Sequence, residues 1–173
     1  MKEERICEVC DNTGDNISMK NKQYCELTAL YWMWKNKLIC DMQVDKDNYF
    51  GLVHYRRILD LSEEDILRLV ENGVDVVLPY PMPYEPNIEE HHKRYIKEAD
   101  WKALLQALEE VQPTYAKRFP DVLGQQYLCN YNILLAKEQV LADYCAWLFP
   151  ILERVEELSV PKGKERSDRY IGY

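Results

Sequence analysis

Four polar side chains, His54-Tyr55-Arg56-Arg57, follow directly on the apolar stretch from Tyr49 to Val53 and form the sharpest chemical signal in the chain. Arginine presents a planar fork of donors that matches phosphate oxygens, and histidine can hydrogen-bond a hydroxyl or accept its proton. If the strand runs on through these four, alternation sends His54 and Arg56 to one face and Tyr55 and Arg57 to the other. The bland alternative pairs the arginines with Asp60, Glu63 or Glu64 at the surface, where ion pairs contribute little. Asp15 and Asn16 sit in a turn-rich run that starts at Asp11, where such side chains hold either a ligand hydroxyl or their own backbone. Asn130 and Asn132 flank Tyr131 in an apolar stretch, so each amide needs a partner, either a ligand or backbone at a strand end.

Metal chemistry is suggested by three other runs and supported by none of them. Glu89-Glu90-His91-His92 places two histidines side by side, about 100° apart on a helix, unlike the shared face that an i, i+4 spacing provides. It reads as a solvated helix. Asp45-Lys46-Asp47 has the carboxylate-x-carboxylate form that holds a divalent cation in many nucleotide-sugar enzymes, but it precedes a strand instead of following one and reads as a connecting loop. Cys7-x-x-Cys10 lacks the second ligand pair that a structural zinc requires. The six cysteines (Cys7, Cys10, Cys25, Cys40, Cys129 and Cys145) therefore read as free thiols. No metal ligands are assigned, and a manganese or magnesium ion as cofactor is left open. There is no Walker loop, no GxGxxG and no GxSxG.

These side chains need elements to hold them. Leu27, Leu30, Tyr31, Trp34 and Leu38 fall at helical spacing and predict a helix with Asn21 as its N-cap. Residues 48–54 predict a buried strand in which Gly51 permits close approach. Ser62 and Asp65 make a capping box, with Leu61 stapled onto Ile66, and Gly73 closes that helix. Residues 74–78 predict a second strand. Four prolines from Pro79 to Pro86 then force an extended loop, whose Tyr80 and Tyr84 suit a sugar platform. Helices are predicted over 88–99 and, capped by Asp100, over 101–111. A third strand over 126–136 leads to a closing helix from Glu138, which Pro150 should kink. Helices alternating with strands predict an α/β fold, a small mostly parallel sheet flanked by helices.

Length and charge narrow the classes further. A chain of 173 residues makes a single domain, with residues 1–13 as an irregular lead-in. A net charge of −8 argues against nucleic acid as a partner, because such binding rests on neutralising phosphates. No apolar run approaches the ~20 residues of a membrane span. Without a signal peptide the expected compartment is the cytoplasm, where thiols stay reduced.

The segments GDNIS, YCELTALYWMWKN, GLVHYRR and DYCAWLFPILE, in this order and spacing, resemble the DUF4422 domain family. That family occurs in capsular and exopolysaccharide biosynthesis loci and is regarded as glycosyltransferase-like, with a GT-A type fold. The resemblance covers about residues 11 to 173. It implies transfer of a sugar from a nucleotide-sugar donor to a glycan acceptor, with peripheral association to a membrane-bound assembly complex. It makes His54 and Asp15 candidate catalytic residues, and Asn16, Tyr55, Arg56, Arg57, Asn130 and Asn132 candidates for substrate binding. Residues 1–10 lack the strand with which family members open, and members continue past Gly172-Tyr173, so the expectation is a GT-A-like domain trimmed at both ends. The alternative is a non-catalytic carbohydrate- or partner-binding domain that retains the fold.

Overall fold

The computed structural model describes residues 9–38, 48–54, 56–160 and 164–172. A 3-10 turn at Ser18–Lys20 opens onto α1 (Asn21–Tyr24); after a break at Cys25 and Glu26 comes α2 (Leu27–Met33), which continues as a π-type turn over Trp34–Leu38. There follow β1 (Tyr49–Leu52), α3 (Glu63–Glu71), β2 (Val76–Val77), β3 (Met82–Pro83), α4 (Ile88–His92) and α5 (Glu98–Val111). The chain closes with α6 (Pro113–Ala116), α7 (Phe119–Leu123), β4 (Tyr127–Leu128), β5 (Leu134–Lys137) and α8 (Glu138–Ser159).

The described sheet is antiparallel, and the expectation of a mostly parallel one is corrected. β5 lies between β1 and β2 and runs against both, with Phe50 and Val76 each opposite Ala136. A second ribbon pairs β3 with β4, Met82 opposite Leu128. Apolar runs report that a strand is buried, not which way it points. The chain turns at Tyr131 and Asn132, both at positive φ, which splits the expected 126–136 strand into β4 and β5.

The core follows the predicted stripe. Leu27, Leu30, Tyr31 and Leu38 are buried and Trp34 is half-buried, and all pack with Leu141, Cys145, Phe149 and Leu152 of α8. Phe149 stacks on Trp34 with centroids 5.4 Å apart and meets Tyr31 edge-on at 5.0 Å, the geometries that aromatic quadrupoles favour. Burial pushes the Cys145 thiol up to about 12, so it behaves as a small apolar side chain. α5 lies against α8, with Ala107 and Leu108 buried. α8 contains Pro150 within its span, so the helix does not end and restart there. A smaller cluster gathers Tyr84, Ile88, Trp101 and Leu123.

Three local expectations meet different outcomes. Ser62 caps α3 as predicted: its hydroxyl accepts from the Asp65 N–H at 3.2 Å, and the Ser62 N–H donates back to Asp65 at 2.9 Å. Asn21 is the first residue of α1, not its cap. Asp100 is not a cap either, since α5 starts at Glu98; its carboxylate is 5% exposed and takes both guanidinium branches of Arg166. That pair ties the segment 164–172 down. Arg166 also donates to Asp168 at 2.5 and 2.8 Å, Lys97 reaches Asp168 at 3.0 Å, and Ile171 is buried in the main core.

Candidate functional site

α1 stops after one turn at Cys25, whose backbone turns to φ 53°, ψ −131°. The Cys25 carbonyl accepts from the Asn21 side-chain amide at 3.0 Å and from the Thr28 N–H at 3.3 Å, which holds the break. The break leaves Glu26 just ahead of α2. Opposite it, the Tyr131–Asn132 reversal sits at φ 72° and 51°, and Asn132 donates to the Glu26 carboxylate at 2.9 Å. His54 follows β1, where the chain turns instead of continuing: the Arg57 N–H donates to the His54 carbonyl at 2.8 Å. The strict alternation expected for His54 through Arg57 therefore does not apply.

These segments enclose a cavity of about 470 Å³, within the range that holds small ligands. All three histidines of the chain line it. So do Cys25, Tyr131 and Asn132, which are the non-glycine residues at positive φ among those described. Backbone held in a sparsely populated region costs energy and concentrates at working sites. Tyr84 edges against His91 at 4.5 Å and stacks on His92 at 5.8 Å, and Asn130 donates to the Tyr84 hydroxyl. His92 Nδ1 is bonded to the Ile88 carbonyl at 2.9 Å, so its other ring nitrogen is available to the cavity. Loss of water contact, reinforced by the neighbouring His92 and Arg94, lowers the His91 pKa and favours a neutral ring.

A second cavity of about 510 Å³ shares Cys25, Glu26, His54 and Arg169 with the first and adds Asn21, Lys22 and Ser167. One face of the site is thus aromatic and amide-bearing, and the other carries Lys22 and Arg169. Burial raises the Cys25 thiol, an effect that Arg169 opposes and Glu26 reinforces.

Of the residues expected at a site, His54, Asn130 and Asn132 line the first cavity. Arg57 stacks on Tyr131, 4.2 Å from the ring centroid, on the side of a neighbouring cavity with Leu78 and Ile133. Arg56 is exposed, and Tyr55 lies outside the described residues. Asp15 and Asn16 do not line either large cavity. Asn36 donates to the Asp15 carbonyl at 2.7 Å, and Asn16 accepts from Ser18, the arrangement of a side-chain-closed turn. Tyr80 is 90% exposed, whereas Tyr84 is buried beside the histidines.

Sequence reasoning missed Glu26 and Arg169, and it read His91 and His92 as solvated when both are half-buried against Tyr84. The signal for Glu26 was present: a carboxylate off the buried stripe, one residue before a helix. Among the described residues no group of three or more His, Cys, Asp or Glu side chains is arranged to hold a metal ion. Asp45 and Asp47, like Cys7 and Cys40, lie outside those residues. No described helix is long and apolar enough to cross a membrane.

The fold matches the apo structure of the bifunctional glycosyltransferase WbbM with a TM-score of 0.73 and 28% identity, over 94% of this chain. The chain corresponds to 33% of that protein's length. The model of the family described as Domain of unknown function (DUF4422) matches residues 1–173, including the first ten that the four segments do not reach. The chain belongs to that family. No curated protein matches it in sequence.

Proposed function

We propose that this protein transfers a sugar from a nucleotide-sugar donor to a glycan acceptor in the assembly of a bacterial surface polysaccharide, working in the cytoplasm beside a membrane-bound complex. The observation that carries this reading is the convergence of every histidine and every described left-handed non-glycine residue on one cavity, in a chain of glycosyltransferase-like fold. In such a transfer the acceptor oxygen bonds to the anomeric carbon as the bond from that carbon to the diphosphate breaks. The acceptor's proton goes to a base, and the diphosphate leaves with added negative charge. His54 is the base we assign, with Asn130 and Asn132 holding hydroxyls and Tyr84 giving a sugar ring its apolar face. Tyr55, Arg56 and Arg57, which follow His54 in the chain, are assigned to the donor, with the arginines offsetting diphosphate charge. Asp15 and Asn16 complete the proposed set from the turn ahead of α1.

A thermal-shift panel of UDP, GDP, CMP and dTDP sugars, each with and without manganese, tests this. A ligand at 100 times its Kd adds about 2.7 kcal/mol to the native state, roughly 5–10 °C for a chain of this size. One nucleotide class is expected to shift the melting temperature, and the manganese arm reads metal dependence directly. A folded protein that responds to none of them would move the reading to a binding domain that has kept the fold without the transfer.

A further inference from the structure

Arg169 stands out among the groups that the proposed reaction has not used. Its neighbours are all committed. Arg166 is forked onto Asp100 and Asp168 and lies 4.0 Å over the Tyr170 ring, and Ile171 is buried in the core. Gly172 is pressed so close to the break after α1 that a Cβ there would lie 2.8 Å from Cys25 Sγ, and its N–H donates to the Gln23 carbonyl at 3.0 Å. The backbone on both sides of Arg169 is therefore fixed, yet among the described residues its guanidinium makes no ion pair. It faces both large cavities, and in the second it shares the wall with Lys22, Ser167 and His54, and with Glu26 on the side towards the first. A fixed backbone carrying an unpaired cation beside a cavity is pre-organised for an anion, because the ordering entropy is already spent in folding.

Glu26 lines both cavities, and beyond it the first carries an aromatic and amide-bearing wall. Glu26 is oriented by Asn132, and Tyr84 is oriented by Asn130. A carboxylate beside an aromatic face and two amides suits the hydroxyls and the apolar face of a sugar, and it repels phosphate. We infer that the ligand lies in one direction along the joined cavities, its diphosphate on Arg169 and Lys22 at the tail side and its sugar on Glu26, Asn132 and Tyr84. This rests on the glycosyltransferase reading and deepens it: Arg169 takes the leading role in binding the diphosphate, ahead of Arg56 and Arg57.

The test is calorimetric titration of the full chain with inorganic pyrophosphate, UDP, GDP, CMP and dTDP, and with the sugar nucleotide of whichever nucleotide binds. Charge-assisted hydrogen bonds of this kind are worth at least a tenfold change in affinity. Arg169→Ala is expected to weaken the bound nucleotide at least tenfold, and Arg169→Lys to recover part of the loss. Arg169 is exposed, so both variants should melt with the parent. Glu26→Gln is expected to weaken the sugar nucleotide while leaving free nucleotide and pyrophosphate within twofold of the parent. A nucleotide that binds the parent and Arg169→Ala equally well, or that is lost only with Arg57→Ala, overturns the assignment and leaves the transferase reading standing. A folded parent that binds none of these probes removes both.

Discussion

At the scale of single residues, Asn132 combines two roles that a substitution can separate. Its side chain holds Glu26 at 2.9 Å, and its backbone sits at φ 51° without being glycine. An L residue with a Cβ is strained there by roughly 1–2 kcal/mol, and only glycine, asparagine and aspartate accept it readily. Asn132→Gly and Asn132→Ala both remove the amide, so their difference isolates the backbone. Alanine is ordinarily the more stable of the two, because glycine loses more entropy on folding. Here the order should reverse, with Asn132→Ala melting about 2–4 °C below Asn132→Gly, readable by differential scanning calorimetry. The left-handed pair Tyr131–Asn132 was invisible as a turn because it contains no glycine or proline, and the residues around it read as one apolar strand. The consequence was large: one expected strand became two, in different sheets.

At the scale of elements, α3 was the most legible part of the chain and one of the least embedded. Its capping box and the glycine that follows were apparent in the sequence, because each is a local device with a short-range signature. None of its residues is buried. Its cohesion therefore depends on the cap. The Ser62 hydroxyl and N–H hold the Asp65 carboxyl below its ordinary 3.8. A depressed carboxylate contributes stability above its ordinary value and loses it as pH falls through the lowered one. Ser62→Ala should raise amide exchange across residues 63–71 at pH 6, by the factor of a few that a lost cap of about 1 kcal/mol implies. The difference between parent and variant should shrink as the pH drops below 3.8. α4 was legible in outline only. Its charged sequence said solvated helix, and nothing local could announce that Tyr84 would cover His91 and His92.

At the scale of the whole molecule, the clamp between Asp100 and Arg166 joins residues that are 66 positions apart. Asp100 looked like a helix cap because its partner is invisible at short range. With the partner in view, Asp100 is a nearly buried charge that depends on one guanidinium. Removing Arg166 leaves it unpaired, a loss of about 3 kcal/mol for a buried ion. Arg166→Ala should melt roughly 6–12 °C below the parent and open residues 164–172 to protease. Adding Asp100→Ala to that variant should restore part of the stability, because the stranded carboxylate goes with it. Arg166, with Lys97 adding, also holds the Asp168 carboxyl well below its ordinary 3.8, so the clamp weakens as acid protonates it. The same clamp places Arg169, so a loosened tail and a weakened anion site should appear together.

The position of β5 also bears on how the chain comes off the ribosome. β1 and β2 are synthesised long before Leu134, and each pairs with β5 alone in the described sheet. Until that strand emerges both are open edges, the state in which nascent chains find wrong partners. α8 follows β5 without a gap and supplies Leu141, Cys145 and Phe149 to the main core. Sheet and core are therefore completed late, by pairings distant in sequence, a topology that slows folding and leaves the strand edges exposed for longer during synthesis.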